Sequence, residues 1–252
     1  MKEIPKVTII LPNFNSHLFI KKTLNSILKQ SYPNWKLIIV DDASNRKTKN
    51  VLKKFLKHKK INIFWLKKNK GAGYCRNFAI KKANSKYIAF IDSDDVWKKN
   101  KLKNQIKFMI HNNYNFTYTN YETFGKINNL VISPKRYTFQ KFIHNTSIGT
   151  STMIINSNIA KKVKFTNTEI CEDYYFKCRL LKKVQFAHCL AETLTKYRIR
   201  NNSLQSNSLR NFYWIWRINS EYNKLNLLDN FISLFFISLN SIKKYKFKLF
   251  NI

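Results

Sequence analysis

Within its first hundred residues the chain alternates four short, β-branched apolar runs with stretches of helical periodicity. Val7–Leu11, Leu37–Val40, Ile61–Leu66 and Tyr87–Ile91 read as buried strands. Leu18–Gln30, Thr48–His58, a segment from Gly71 and Gly73 to about Ala83, and Lys98–Asn112 read as helices. The order βαβαβαβ predicts a doubly wound α/β fold, with a mainly parallel central sheet flanked by helices. Ligands of such sheets bind outside the carboxyl ends of the strands, so chemistry is expected along that edge.

The acidic residues point to the same edge. The chain holds 13 Asp+Glu against 47 Lys+Arg, for a formal net charge of +34. Seven of those 13 acids fall into three groups: Asp41-Asp42, Asp92/Asp94/Asp95 and Glu172-Asp173. Adjacent like charges repel unless a cation offsets them, so the grouping predicts a metal or catalytic site. Helix caps and turns are the competing use of aspartate, and they suit isolated residues better than three clusters. Asp41-Asp42 and Asp92–Asp95 each follow a predicted strand and can reach one crevice. A pair such as Asp92/Asp94 or Asp94/Asp95 offers hard oxygens to Mn²⁺ or Mg²⁺, which complete their shell with phosphate and water. Asp42 is placed to accept hydrogen bonds from a base or ribose, and Arg76 to pair with an anionic donor. Glu172-Asp173 opens a predicted helix, Ile170–Lys182. It is either a dipole-favoured helix start or a general base, the charge of Glu172 raising the pKa of Asp173.

After residue 112 the alternation decays. Phe116–Tyr121, Leu130–Ser133, Ser151–Ile155, Val184–Ala187 and Leu194–Arg198 read as strands, and Thr138–His144 as a short helix. With 44% hydrophobic and 15% aromatic residues the chain is globular. The four cysteines lack metal spacing and read as reduced, buried thiols of a cytoplasmic protein. No leader-like segment opens the sequence, and Phe231–Leu239 falls short of the ~20 apolar residues of a membrane span. The chain is therefore expected not to be integral to a membrane. The net charge has two readings: an anionic partner, nucleic acid or acidic membrane, or the compositional drift of an AT-rich genome, which still leaves a positive field. Residues 211–252 mix aromatics with Lys243, Lys244, Lys246 and Lys248. They read as an amphipathic helix that either lies in a membrane interface or packs on the domain.

Taken in order, Val7–Ser16 (VTIILPNFNS), Val40–Ser44 (VDDAS), Asn69–Asn77 (NKGAGYCRN), Tyr87–Trp97 (YIAFIDSDDVW) and Glu172–Leu181 (EDYYFKCRLL) resemble the motifs of family 2 glycosyltransferases of the GT-A fold. Tyr197–Ser206 (YRIRNNSLQS) is similar to a segment common in bacterial polysaccharide members. The resemblance covers roughly residues 4–206. It implies a GT-A domain over 1–206, with a nucleotide-sugar-binding half (1–112) and an acceptor-binding half (113–206), and a helical extension over 207–252. It implies an inverting, metal-dependent transfer from a nucleotide-diphosphate sugar, UDP first, to a lipid-linked or oligosaccharide acceptor, on the cytoplasmic face of a bacterial membrane. By position, Pro12, Asn15, Asp42, Asn69, Arg76, Asp92 and Asp94 would bind the nucleotide sugar. Asp94 and Asp95 would hold Mn²⁺ or Mg²⁺, and Asp173 would be the catalytic base. Trp97 would pack the loop, with Trp97 and Tyr174 near enough to the motifs to stack on a sugar. One departure stands out: many relatives carry a histidine where this chain has Arg200, which cannot ligate a metal but can pair with phosphate.

Three rivals remain at this point. A nucleic-acid-binding protein would account for lysine interleaved with aromatics, but not for aspartates gathered where they would repel a phosphate backbone. A nucleotidyltransferase would use similar carboxylates and release pyrophosphate. A sugar-nucleotide-binding protein without turnover would be consistent with Arg200.

Overall fold

The computed structural model describes residues 4–166, 168–200 and 208–245. Four βα units come first: β1 (Val7–Asn13), α1 (Ile20–Leu28), β2 (Trp35–Asp41), α2 (Arg46–Lys53), β3 (Ile61–Trp65), α3 (Ala72–Lys82), β4 (Tyr87–Phe90), β5 (Val96–Trp97) and α4 (Lys101–His111). Then follow β6 (Phe116–Gly125), β7 (Leu130–Val131), β8 (Arg136–Tyr137), α5 (Phe139–His144), β9 (Ile154–Asn156), α6 (Ser157–Ala160), α7 (Glu172–Val184), β10 (Ala187–Ile199), α8 (Ser208–Arg217) and α9 (Leu227–Tyr245).

The main path of the sheet runs β3-β2-β1-β4-β9-β6-β10-β5. Its first four strands are parallel, as the alternation requires. β9 then pairs antiparallel with both β4 and β6. Strands from either side of residue 112 thus share one sheet. Strand alternation divides two cores between its faces. Val7, Ile9 and Leu11 of β1 pack with Leu37 and Ile39 of β2 beneath α1 and α4. Ile10, Ile38 and Val40 point the other way, into a core with Cys75 and Ala79 of α3 and Phe176 and Leu180 of α7. All four cysteines are buried and free, as expected.

Several boundaries differ from expectation for identifiable reasons. α2 begins at Arg46 and not Thr48, because the Asn45 side chain caps it by accepting from the Thr48 N–H (2.9 Å). The expected strand Ser151–Ile155 is a 3₁₀ turn (Thr150–Thr152) followed by β9. Val184–Ala187 and Leu194–Arg198 are not two strands. A single 13-residue β10 pairs with β6, and its register shifts between Leu190 and Thr195 absorb the polar interruption that made it look like two. The tail is not one continuous helix. α8 passes into a π-helical turn (Ile218–Tyr222) and breaks before α9. Among the described residues no helix is long and apolar enough to cross a membrane.

Candidate active site

Register places the chemistry. Asn13 lies opposite Asp41 and Ile10 opposite Phe90, so the carboxyl ends of β1, β2 and β4 stop at one edge. Pro12 is buried at the end of β1. Behind it, Asn13 Nδ2 donates to Asp41 Oδ1 (2.7 Å), and Asp41 Oδ2 accepts from the Ser44 N–H (3.1 Å). Asn15, at φ 47°, donates its N–H to Ser44 Oγ (3.0 Å) and accepts from the Asn45 N–H (2.8 Å). Asp41 is therefore a structural acid that locks two strand-end loops together.

Asp42 braces a third loop. Its two oxygens accept from the backbone N–H groups of Lys70 (2.7 Å) and Gly71 (2.8 Å), while Asn69 Nδ2 reaches its carbonyl (3.4 Å). Gly71 sits at φ 85°, where a side chain would be strained, and directly opens α3. Gly73 serves close approach: a Cβ there would lie 2.8 Å from the Thr166 carbonyl.

α3 delivers Arg76 to the centre. Its side chain is only 6% exposed and bridges two acid clusters, Nη2 donating to Asp92 Oδ1 and Nη1 to Glu172 Oε1, both at 2.7 Å. Glu172, 96 positions from Arg76 in sequence, is thereby joined to Asp92 by one guanidinium. The sequence placed Arg76 against the donor; in the structure its direct partners are these carboxylates.

The third member of the network was not read from the sequence. Ser151 Oγ donates to Asp95 Oδ2 (2.5 Å) and accepts from the Asp92 N–H (2.9 Å). Next to it, Thr150 Oγ1 donates to Asp173 Oδ2 (2.8 Å). Two adjacent hydroxyl residues thus tie the Asp92–Asp95 loop to Asp173. The run Gly149-Thr150-Ser151-Thr152 was the available signal, small and hydroxyl-rich in a segment without periodicity.

Asp94 and Asp95 have different surroundings. Asp95 is 1% exposed, with one oxygen on Ser151 and the other accepting from the Arg198 N–H (2.8 Å). Burial pushes its carboxyl well above the usual range, reinforced by the charges of Asp94 and Asp92. Each of its oxygens thus accepts one hydrogen bond from the protein. Asp94 carries an ion pair with Arg200 (Nε to Oδ2, 2.8 Å). Burial raises its pKa, and the Arg200 charge partly offsets that. Residues 201–206 of the motif that begins at Tyr197 lie outside the described residues.

The expected direction for Asp173 is overturned. Burial alone would raise its pKa, but the Lys177 ammonium at 2.6 Å, with Arg76 and Thr150, holds it well below the usual carboxylate range. Burial instead raises Glu172, against the opposing charge of Arg76. The i,i+4 pair Asp173/Lys177 was visible in the helix pattern and decides the sign. Both Thr150 and Lys177 engage Oδ2 and neither touches Oδ1. Tyr174 is also corrected: it is buried, with its hydroxyl on Asn219 Oδ1 (2.8 Å), and is a core residue. Trp97 is buried as expected, its indole N–H donating to the Ser151 carbonyl (2.8 Å) and its ring covered by the Lys101 ammonium at 4.0 Å.

Among the described residues no three His, Cys, Asp or Glu side chains converge as a complete metal cage. Asp92 and Asp94 keep 27% and 13% of their side chains exposed at the crevice edge. A pair of hard carboxylates suits Mn²⁺ or Mg²⁺, which take one or two of them and draw the rest of the shell from phosphate and water. The donor set fits such an ion.

The carboxyl ends of β2 and β4 present Asp41-Asp42 and Asp92–Asp95 at one edge of the sheet, with Arg76 tying Asp92 to Glu172, and such an edge is where doubly wound α/β sheets take their ligands. Residues 8–184 match Glycosyl transferase family 2, and the chain belongs to that family of transferases. The teichuronic acid biosynthesis glycosyltransferase TuaG of Bacillus subtilis is 32% identical over 95% of this chain and 97% of its own. The UDP-Glc:alpha-D-GlcNAc-diphosphoundecaprenol beta-1,3-glucosyltransferase WfgD of Escherichia coli is 32% identical over 96% and 95%. In fold, the chain matches S. aureus TarS 1-349, solved with UDP-GlcNAc (TM-score 0.73, 21% identity, 94% of this chain and 73% of that one). It also matches the mannosyltransferase PcManGT of Pyrobaculum calidifontis, solved with GDP-Man and Mn²⁺ (TM-score 0.73, 14% identity, 93% and 70%). The architecture is the GT-A fold.

Proposed function

We propose that the chain moves a sugar from a nucleoside-diphosphate sugar, UDP-linked first, onto a hydroxyl of a lipid-linked acceptor during cell-surface polysaccharide synthesis. The observation that carries this reading is the Arg76 bridge. It holds the loop after β4 and the start of α7 together, so that a diphosphate-binding acid motif and a candidate base face one crevice. The donor and acceptor in the name of WfgD, the teichuronic acid biosynthesis in that of TuaG and the UDP-GlcNAc bound to TarS support the donor and acceptor classes.

In this reading the strand-end loops fixed by Asp41 and Asp42 receive the nucleoside, with Pro12, Asn15 and Asn69 beside it, and Arg76 orders the acids that border it. Asp94, with Asp92, holds Mn²⁺ or Mg²⁺. When bound, the ion supplies Lewis-acid stabilisation of the charge that grows on the departing diphosphate. Asp95 acts from behind, through Ser151 and Arg198, by positioning the loop. Arg200 exchanges its bond to Asp94 for one to phosphate. The acceptor oxygen attacks the anomeric carbon as the bond to the diphosphate breaks, the nucleoside diphosphate leaves with the electron pair, and Asp173 Oδ1 takes the acceptor proton. A single displacement of this kind inverts the anomeric centre. The work is assigned to the cytoplasmic face of the membrane, where the acceptor lipid is presented.

The Arg200–Asp94 ion pair also favours a second reading, in which the chain binds sugar nucleotides without turning them over. Calorimetric titration of UDP in Mn²⁺ and in EDTA, on the wild type and on Asp94→Ala, tests the donor site that both readings share, and release of UDP from a UDP-sugar in the presence of acceptor separates them. Tight binding in Mn²⁺, lost in EDTA and in the variant, is the expected result. Binding indifferent to both would remove the metal from the account and leave Arg200 as the cation at this carboxylate.

A further inference from the structure

α9 presents a long apolar stripe to solvent. Along its 19 residues, Leu228, Phe231, Phe235, Leu239 and Ile242 recur at helical spacing and are 69%, 63%, 61%, 39% and 50% exposed. The face against the protein carries Leu234 and Ile237, which pack on the core, together with polar groups held by hydrogen bonds. Ser233 Oγ donates to the Ile143 carbonyl (2.6 Å), Asn240 Nδ2 to the His144 carbonyl (3.0 Å) and Asn230 Nδ2 to the Trp216 carbonyl (3.1 Å). Asn230 and Ser233 are fully buried. A surface helix ordinarily keeps its outward face polar, because an apolar stripe gains free energy by leaving water. The outward stripe also continues onto the preceding helical segment, where Trp216 packs edge-on against Phe231 at 4.9 Å.

We infer that the outward face of α9 docks the enzyme, lying flat, on an anionic lipid surface. Charge complementarity selects the occupant: the chain carries +34, and the exposed Lys243 closes the last turn beside the apolar stripe. The helix cannot enter the bilayer lengthwise, because its other face is bonded to α5 through the Ile143 and His144 carbonyls. It is therefore interfacial, with its apolar side chains at the headgroup and acyl boundary. Lys244 ties this surface to the rest of the domain, since its carbonyl accepts from Asn129 Nδ2 (2.6 Å) just after β6.

This inference stands apart from the donor-site reading, and UDP binding reports on that reading separately. The test is co-sedimentation of the full chain with vesicles of phosphatidylglycerol and phosphatidylcholine, and with pure phosphatidylcholine vesicles, for the wild type and Leu228→Ser/Phe235→Ser. Both substituted residues are exposed, and circular dichroism with UDP titration verifies that the variant is folded. Wild-type binding to the anionic vesicles, falling about tenfold or more in the variant, is expected. Two results would overturn the proposal. In one, binding is undiminished in the variant, so the general lysine field alone holds the protein. In the other, no vesicles bind and light scattering shows a dimer that the variant converts to monomer, so a second copy covers the face.

Discussion

Replacing Asp173 by Asn is expected to lower kcat by about 10³, within the range for removal of a positioned general base, while leaving UDP affinity unchanged. The amide keeps the shape of the carboxylate and an oxygen to accept from Thr150, so the geometry around Ser151 and Asp95 is preserved. It cannot take a proton from the acceptor. Lys177, whose side chain is 5% exposed, loses its counter-charge, so a modest drop in thermal midpoint accompanies the substitution. Turnover with UDP titration on the same preparation separates the two effects. The wild-type pH profile carries a second signature. Lys177 holds the Asp173 carboxyl below the usual range, so this group remains ionised and active through mildly acidic pH and is lost only at stronger acid. An acid limb of kcat/KM near neutrality would belong to some other group.

Arg76→Met is expected to be the most destabilising single change at the site. It leaves Asp92 and Glu172 facing each other without their shared cation, and removing one partner from a buried ion pair costs about 3–5 kcal/mol. In a domain of this size that corresponds to a fall of roughly 6–20 °C in thermal midpoint. The deficit depends on pH in a definite direction. Without Arg76 the Glu172 carboxyl, already raised by burial, rises further. The folded state then binds a proton more readily than the unfolded chain, so stability recovers as pH falls towards the unfolded value near 4.5. Melting curves at mildly acidic and at alkaline pH should show a gap between wild type and variant that narrows on the acid side. Arg76→Lys is a poor rescue, because one ammonium on a shorter stem does not reproduce the fork that reaches two carboxylates.

The first 112 residues were legible because their signals are local. Val7–Leu11 and Leu37–Val40 are continuous apolar runs of the kind a parallel strand needs, and each is followed at once by the polar residues that the strand ends present. The acid clusters stood out against a lysine-rich background, and the βα alternation alone put two of them on one edge. What the sequence hid is mostly non-local. The hydroxyl-rich run at Thr150-Ser151 marks an unusual segment but not its partners, residues 92–95 and 173, since those contacts span 56 and 23 positions. The single strand Ala187–Ile199 was hidden by its own irregular register with β6. The direction of the Asp173 shift is a different case: Lys177 lies one helical turn away, and the neighbouring charge of Glu172 was given more weight than that closer cation. α9 was read as amphipathic, but which of its faces meets the protein is decided by carbonyls of α5 nearly a hundred residues earlier.

The most direct test of the central claim is a crystal structure of the chain with UDP and Mn²⁺. The account predicts the nucleoside against the loops after β1, β2 and β3, the diphosphate and ion at Asp94 with Asp92, and Arg200 moved from Asp94 to phosphate. Elsewhere on the surface, Lys21, Lys22, Lys29 and Lys99 line an open groove of about 800 Å³ beside Trp97. Nucleotide bound in that groove, with the Asp94–Arg200 ion pair intact, would contradict the account.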